Sequence, residues 1–147
     1  RHEEALKLLD GLDIPMAYAY KGLNLAMAGK KDEAYPYLKN YGTSARTRVP
    51  LAEIMEERGE FDEAIAILSP YQKQNIQVDY KLGILYQKSS NEAMSHVSFA
   101  RYFFKTGKYK ASLYHIEKAL AQDKVLDAQV AGEMKEMKEL IGKIRSS

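Results

Sequence analysis

The chain has 147 residues, 46% of them hydrophobic and 29% charged, with a formal net charge of +2. That is the make-up of one folded domain, and a charge so near balance lacks the concentrated basic surface that nucleic acid demands. Cysteine is absent, which excludes disulfides, thiolate metal sites and cysteine nucleophiles, and no apolar run approaches the roughly 20 residues of a membrane-spanning helix.

The first residue is Arg1, and Glu3-Glu4-Ala5-Leu6-Lys7-Leu8-Leu9 is already helical in pattern, so the sequence reads as a piece of something longer. Apolar spacing predicts helices over about 2–10, 15–28, 31–41, 46–58, 61–73, 77–89, 91–106, 109–121 and 126–145, with no strand alternation. Pro15 suits a first helical turn and Pro50 falls near the start of its helix. Pro36 and Pro70 lie inside predicted helices, where the missing backbone donor predicts local irregularity.

Glycine followed by a charged or aromatic pair and a small residue five positions on occurs three times, at Gly29 and Ala34, Gly59 and Ala64, and Gly107 and Ser112. The first two copies stay in register at a spacing of 30 residues, which pairs Leu25 with Met55, Leu38 with Leu68 and Tyr41 with Tyr71. A fixed period of this size means stacked supersecondary units, none of which can bury its apolar face alone. In the first two copies the glycine can take the left-handed conformation that ends one helix, and acidic residues open the next. Ala34 and Ala64 are expected where the second helix crosses the first. The interval from Gly59 to Gly107 is 48 residues, neither one repeat nor two, so an extra helix is inserted or shared. The helix over about 91–106 carries Ala93, Met94, Val97, Phe99, Ala100, Tyr102, Phe103 and Phe104, too many apolar residues for one stripe, which predicts contact on two sides.

Three stretches resemble the tetratricopeptide repeat: Leu82-Gly83 with Tyr86; Phe99-Ala100 with Phe103, Gly107, Tyr109, Ser112, Ile116 and Ala119; and Gly22 with Ala34 and Leu38. The closing proline of that signature is missing from every copy. The resemblance covers most of residues 1–121 and implies an all-α right-handed superhelix, a solenoid of antiparallel helix pairs with about nine helices. Repeats would fill 1–125 and a capping helix 126–147. More narrowly, Tyr80 to Tyr86, Ser95 to Tyr109 and Leu113 to Leu120 are similar to the C-terminal repeat domain of bacterial zinc metallopeptidases of the beta-barrel assembly-enhancing type. In that family the His-Glu-x-x-His motif lies in a separate N-terminal domain, and the tail is implied to recruit substrates or partner membrane proteins in the periplasm. This chain has no such motif, for its only histidines are His2, His96 and His115, and His2-Glu3 lacks a second histidine four residues on.

The expected function is therefore a non-catalytic protein-interaction module, the tail of a larger zinc metallopeptidase or, alternatively, a free-standing adaptor. No catalytic, cofactor-binding or metal-ligating residue is expected. The partner would be a protein or peptide, its own N-terminal catalytic domain included, with no nucleic acid and no membrane insertion; the location would be periplasmic if the tail reading holds. First helices of stacked pairs line a concave face, which would gather Met16, Ala19, Leu23, Arg46 and Glu53 with the contact set Tyr80, Ile84, Gln87, Val97, Arg101 and Phe104. The lysine and asparagine cluster by which some members grip a terminal carboxylate is not found. Arg101, Lys105, Lys108 and Lys110 form a local basic patch that would meet an acidic partner or serve solubility. The last helix carries Leu126, Val130, Met134, Met137, Ile141 and Ile144 on one narrow face, a seal for the end of a monomeric solenoid or a dimer seam.

Overall fold

The computed structural model describes residues 14–146, so the predicted helix over 2–10 and His2 lie outside the described residues. All regular structure within them is helical. The elements are α1 (Ile14–Met27), α2 (Lys31–Tyr41), α3 (Ala45–Glu57), α4 (Phe61–Leu68), α5 (Ile76–Lys88), α6 (Glu92–Lys105), α7 (Tyr109–Leu120) and α8 (Ala128–Ser146), with 3-10 turns over Ser69–Tyr71 and Asp123–Val125. The chain forms two compact units, one ending at Leu68 and one beginning at Ser69, a division that the repeat pattern does not mark. In the first, α1 packs on α2, α2 on α3 and α3 on α4; in the second, α5 packs on α6, α6 on α7 and α7 on α8, in antiparallel pairs.

The turns explain the hairpins. Gly29, Gly59 and Gly107 have φ of 81°, 77° and 75°, a region where a side chain is strained. The residue after each donates its N–H five residues back across the helix end, from Lys30 to Leu25 O, Glu60 to Met55 O and Lys108 to Phe103 O. A fourth turn of the same construction centres on Ser90, with φ of 64°, where Asn91 N–H donates to Tyr86 O. The intervals between turns are thus 30, 31 and 17 residues, and the puzzling 48-residue gap resolves into one full repeat followed by one shared helix. Helix α6 is the second helix of one hairpin and the first of the next.

All four hairpins keep one register. Seven residues before the turn stands a small residue, five after it another, and nine after it a large one: Gly22, Ala34 and Leu38; Ala52, Ala64 and Leu68; Gly83, Ser95 and Phe99; Ala100, Ser112 and Ile116. Ala34, Ala64 and Ser112 are fully buried, as the crossing of two backbones requires. Glycine is needed where the large residue presses closest, since a Cβ at Gly83 would lie 2.7 Å from the Phe99 ring and one at Gly22 would lie 2.9 Å from Tyr37 Cβ.

Contact on two sides of α6 is found. Ala93, Val97 and Ala100 join Ile116 and Ala119 of α7 and Met134, Met137 and Ile141 of α8 in one core. Burying a side chain of the size of Val97, Ile116 or Met134 contributes roughly 1.5–3 kcal/mol. Most of the apolar stripe of α8 is therefore used within the second unit, although Ile144 is exposed.

Pro70 falls in the 3-10 turn, and α4 stops at Leu68 instead of running to 73. Pro36 and Pro50, each the sixth residue of its helix, leave α2 and α3 unbroken, so the irregularity expected at Pro36 is not found and Pro50 lies one residue deeper than the predicted helix start implies. The carbonyls these prolines leave unpaired belong to Asp32 and Arg46, exposed residues of the first turn that water can serve.

Candidate functional site

In the first unit a cleft of about 340 Å³ opens between α1 and α3. It gathers four of the groove residues expected from sequence, Met16, Ala19, Leu23 and Arg46, and adds Tyr20. Ala19 and Leu23 form a buried floor, while Met16 and Tyr20 stand about half exposed at the rim, at 48% and 49%. Arg46 is the one charged side chain in the lining, and it is exposed. Ser44 closes one end by donating its N–H to Thr47 Oγ1 at 3.2 Å, which fixes the start of α3 and hence the place of Arg46. Glu53 lies further along α3 and does not line the cleft.

The six contact residues expected in the second unit do not form one surface. Val97 is fully buried, because α8 covers the side of α6 that a free first helix would leave open, and it has no surface for a partner. Arg101 is a structural tie: its Nε and Nη2 donate to the two carboxylate oxygens of Glu133 at 2.8 and 2.7 Å, and its Nη1 donates to Gln72 Oε1 at 3.3 Å. The hydrogen bond to Glu133 holds the Arg101 guanidinium above its ordinary value. Phe104 packs on the core and meets Tyr109 edge-on at 5.7 Å. Tyr80 is 40% exposed, Ile84 is half-buried and Gln87 is exposed on α5.

The basic patch is also divided. Lys105 turns inward to the fully buried Asp79 at 2.6 Å and to Gln72 O at 3.1 Å, so only Lys108 and Lys110 keep the outward role expected of the four. Burial pushes the Asp79 carboxyl above the usual range, and the Lys105 ammonium pulls the other way.

A second cleft, of about 590 Å³, lies along α6 and α7 beside the end of α5, with Gln87 at its margin. Phe99, His96 and His115 in its lining belong to a run of rings. Tyr80 meets Phe99 and Tyr102 edge-on, Phe99 meets His115, His115 stacks on Phe103 at 5.5 Å and 10°, and Phe103 returns to Tyr102. His96 Nδ1 lies 2.9 Å from His115 Nδ1, and His96 Nε2 lies 3.7 Å from Glu92 Oε1. Burial, and then the neighbouring His96, lower His115 to about 4. The sequence analysis did not pair these histidines. The signal was positional: His96 and His115 stand eleven before and eight after their turn, as Tyr18 and Tyr37 do, and those tyrosines stack at 5.8 Å.

Among the described residues no group of three His, Asp, Glu or Cys side chains converges as metal ligands would, and no helix is long and apolar enough to cross a membrane. The arrangement defines a class: an all-α protein of helix hairpins, repeated in one register and packed in chain order. No protein-family model, curated protein or solved structure matches the chain.

Proposed function

We propose that the chain is a tetratricopeptide-type module that holds a segment of another protein in the cleft between α1 and α3 and catalyses no reaction itself. The observation that carries this reading is the gathering of Met16, Ala19, Leu23 and Arg46 into one cleft, with exposed apolar surface at its rim. An apolar floor, a half-exposed tyrosine and one guanidinium match the aromatic and arginine anchors that dominate protein recognition. The repeated small-small-large register supports the tetratricopeptide assignment, and with it a right-handed superhelix. The narrower reading makes the module the tail of a larger periplasmic zinc metallopeptidase, resting on the stretches from Tyr80 to Leu120; a His-Glu-x-x-His helix encoded upstream would decide for it, and its absence would favour a free-standing adaptor.

The test is site-specific photocrosslinking. A photoreactive residue at Tyr20 should capture a partner that the same residue at Lys30, on the exposed turn, does not. Arg46→Glu should weaken that partner's binding about tenfold, the scale of one interface anchor. Capture from both positions alike, or binding unchanged by Arg46→Glu, would remove the cleft from the proposal.

A further inference from the structure

His96 and His115 meet through a contact whose chemistry limits how many protons the pair can hold. With the two Nδ1 atoms 2.9 Å apart, one ring must donate and the other accept. The groups around the pair decide which. Glu92 of α6 lies 3.7 Å from His96 Nε2; α7 contributes Tyr114 and Lys118 to the cleft, and the end of α5 with its turn contributes only the uncharged Gln87 and Ser90. A carboxylate facing Nε2 favours a hydrogen on that nitrogen, so His96 accepts at Nδ1 and His115 donates. The His115 ring packs against Phe99 and Phe103.

We propose that the His96–His115 pair is a proton-operated latch between α6 and α7, closed while the pair is uncharged or singly protonated and released when both rings are charged. After one added proton the pair still has one Nδ1 able to accept from the other. The contact survives and becomes charge-assisted. A second proton removes the last acceptor. Two N–H groups then oppose each other at 2.9 Å, two like charges share the cleft with Lys118, and one of them lies among the rings of Phe99 and Phe103. The rings must part, which frees the half of α7 that carries His115 and opens the run of aromatic rings. The depression of His115 to about 4 agrees with this order of events. The stacked Tyr18 and Tyr37 occupy the same place in the first unit and carry no such proton. This latch needs no partner protein and stands or falls independently of the binding reading.

Imidazole nitrogen shifts of the histidine-labelled chain, followed by NMR from pH 8 to 3.5, test it. The expected record is two coupled steps, the second of them near pH 4 and charging His115. Only the second should move the amide signals of Tyr114 to Leu120. His115→Phe keeps a ring in the slot that Tyr37 fills in the first unit, and it should abolish that second movement while leaving the remaining spectrum in place. Independent titration of the two rings, movement of α7 in the first step, or the same acid movement in His115→Phe would each overturn the latch.

Discussion

In the first unit the crossing point of each hairpin is a methyl group, Ala34 or Ala64, and one slot beside the crossing is filled by the stacked pair Tyr18 and Tyr37. In the second unit the crossings are serines that donate across the hairpin, Ser95 Oγ to Gly83 O at 2.7 Å and Ser112 Oγ to Ala100 O at 2.9 Å, and the same slot holds His96 and His115. One backbone register therefore accepts two chemistries, contact that is nearly indifferent to pH and direction, or bonds that depend on both. The slot is also where satisfaction fails. Among the described residues, the buried side-chain polar atoms without a partner are Arg48 Nε, Asp79 Oδ1 and Ser98 Oγ, and all three residues occupy it in the two middle hairpins. Polar residues enter this position at a cost that aromatic stacking avoids.

The largest expected effect tests that contrast with charge. Lys105→Met should cost about 2–3 kcal/mol at pH 7, because it leaves the fully buried Asp79 carboxylate without its counter-ion. Asp79→Asn should cost under about 1 kcal/mol, since Lys105 keeps access to water. At the same slot of the first unit, Arg48→Met strands no opposite charge and should also stay below about 1 kcal/mol. Urea unfolding of the three variants measures the order. The Lys105→Met loss should shrink as pH falls and Asp79 takes up a proton; an equal loss for all three would erase the distinction between the units.

Next in size is the close approach of backbones. Gly83→Ala should destabilise by about 2 kcal/mol, because its Cβ meets a ring rather than a flexible side-chain end. The register partner Ala52 already carries a Cβ, and Ala52→Gly should cost only about 1 kcal/mol, through helix propensity. A Gly83→Ala protein as stable as the parent would mean that Phe99 is free to swing aside.

The pH dependence follows in scale. His115 is held near 4 in the folded chain against 6.5 for the free side chain, so the unfolded chain takes up this proton first. Stability is then lost as pH falls from about 6.5 and the loss is complete below about 4, amounting to roughly 1–2 kcal/mol once solvent screening of a half-buried ring is allowed for. His115→Phe should flatten that part of the profile, whereas Tyr37→Phe in the first unit should leave it unchanged. A smaller contrast lies at the crossings: Ser112→Ala should cost about 1 kcal/mol, the worth of one buried hydrogen bond, since the alanine copies show that the methyl itself fits. A thermal melt that does not distinguish Ser112→Ala from the parent would make the serine bond incidental.

How much of this was legible in the sequence depends on whether a residue type is forced. Gly29, Gly59 and Gly107 announced their turns because glycine alone enters the left-handed region freely, and Ala34 and Ala64 announced the crossings because only a small side chain fits there. Ser90 announced nothing. A serine in that conformation is tolerated rather than required, so the third turn was invisible and the repeat seemed to lose its period. Val97 was misread for a related reason: on the face pattern of α6 it belongs to an open groove, and only the packing of α8 buries it. Arg101 and Lys105 carry the same charge whether they face solvent or a buried carboxylate, and their partners Glu133 and Asp79 are distant in sequence. The first-unit groove was readable because α1 and α3 are successive first helices of regular repeats, with no shared helix between them.

The smallest effect is the most direct test of the common register. If Ser90 occupies the place of a glycine, with its φ of 64° set by the turn rather than by its own side chain, then Ser90→Gly removes a strain that the other three turns do not bear. Glycine also loosens the unfolded chain, which works against the gain, so the net stabilisation should be about 0.5 kcal/mol. Gly59→Ser should cost about 1 kcal/mol in the opposite direction, since it imposes on the first unit the strain that the second carries. Gly59 has open space around its Cβ position, so that cost would come from the backbone alone. Opposite signs for the two substitutions would show that the turns are interchangeable parts of one repeat. Two losses would mean that Ser90 is held by contacts of its own, and that the 31-residue and 17-residue intervals only imitate the period of the first unit.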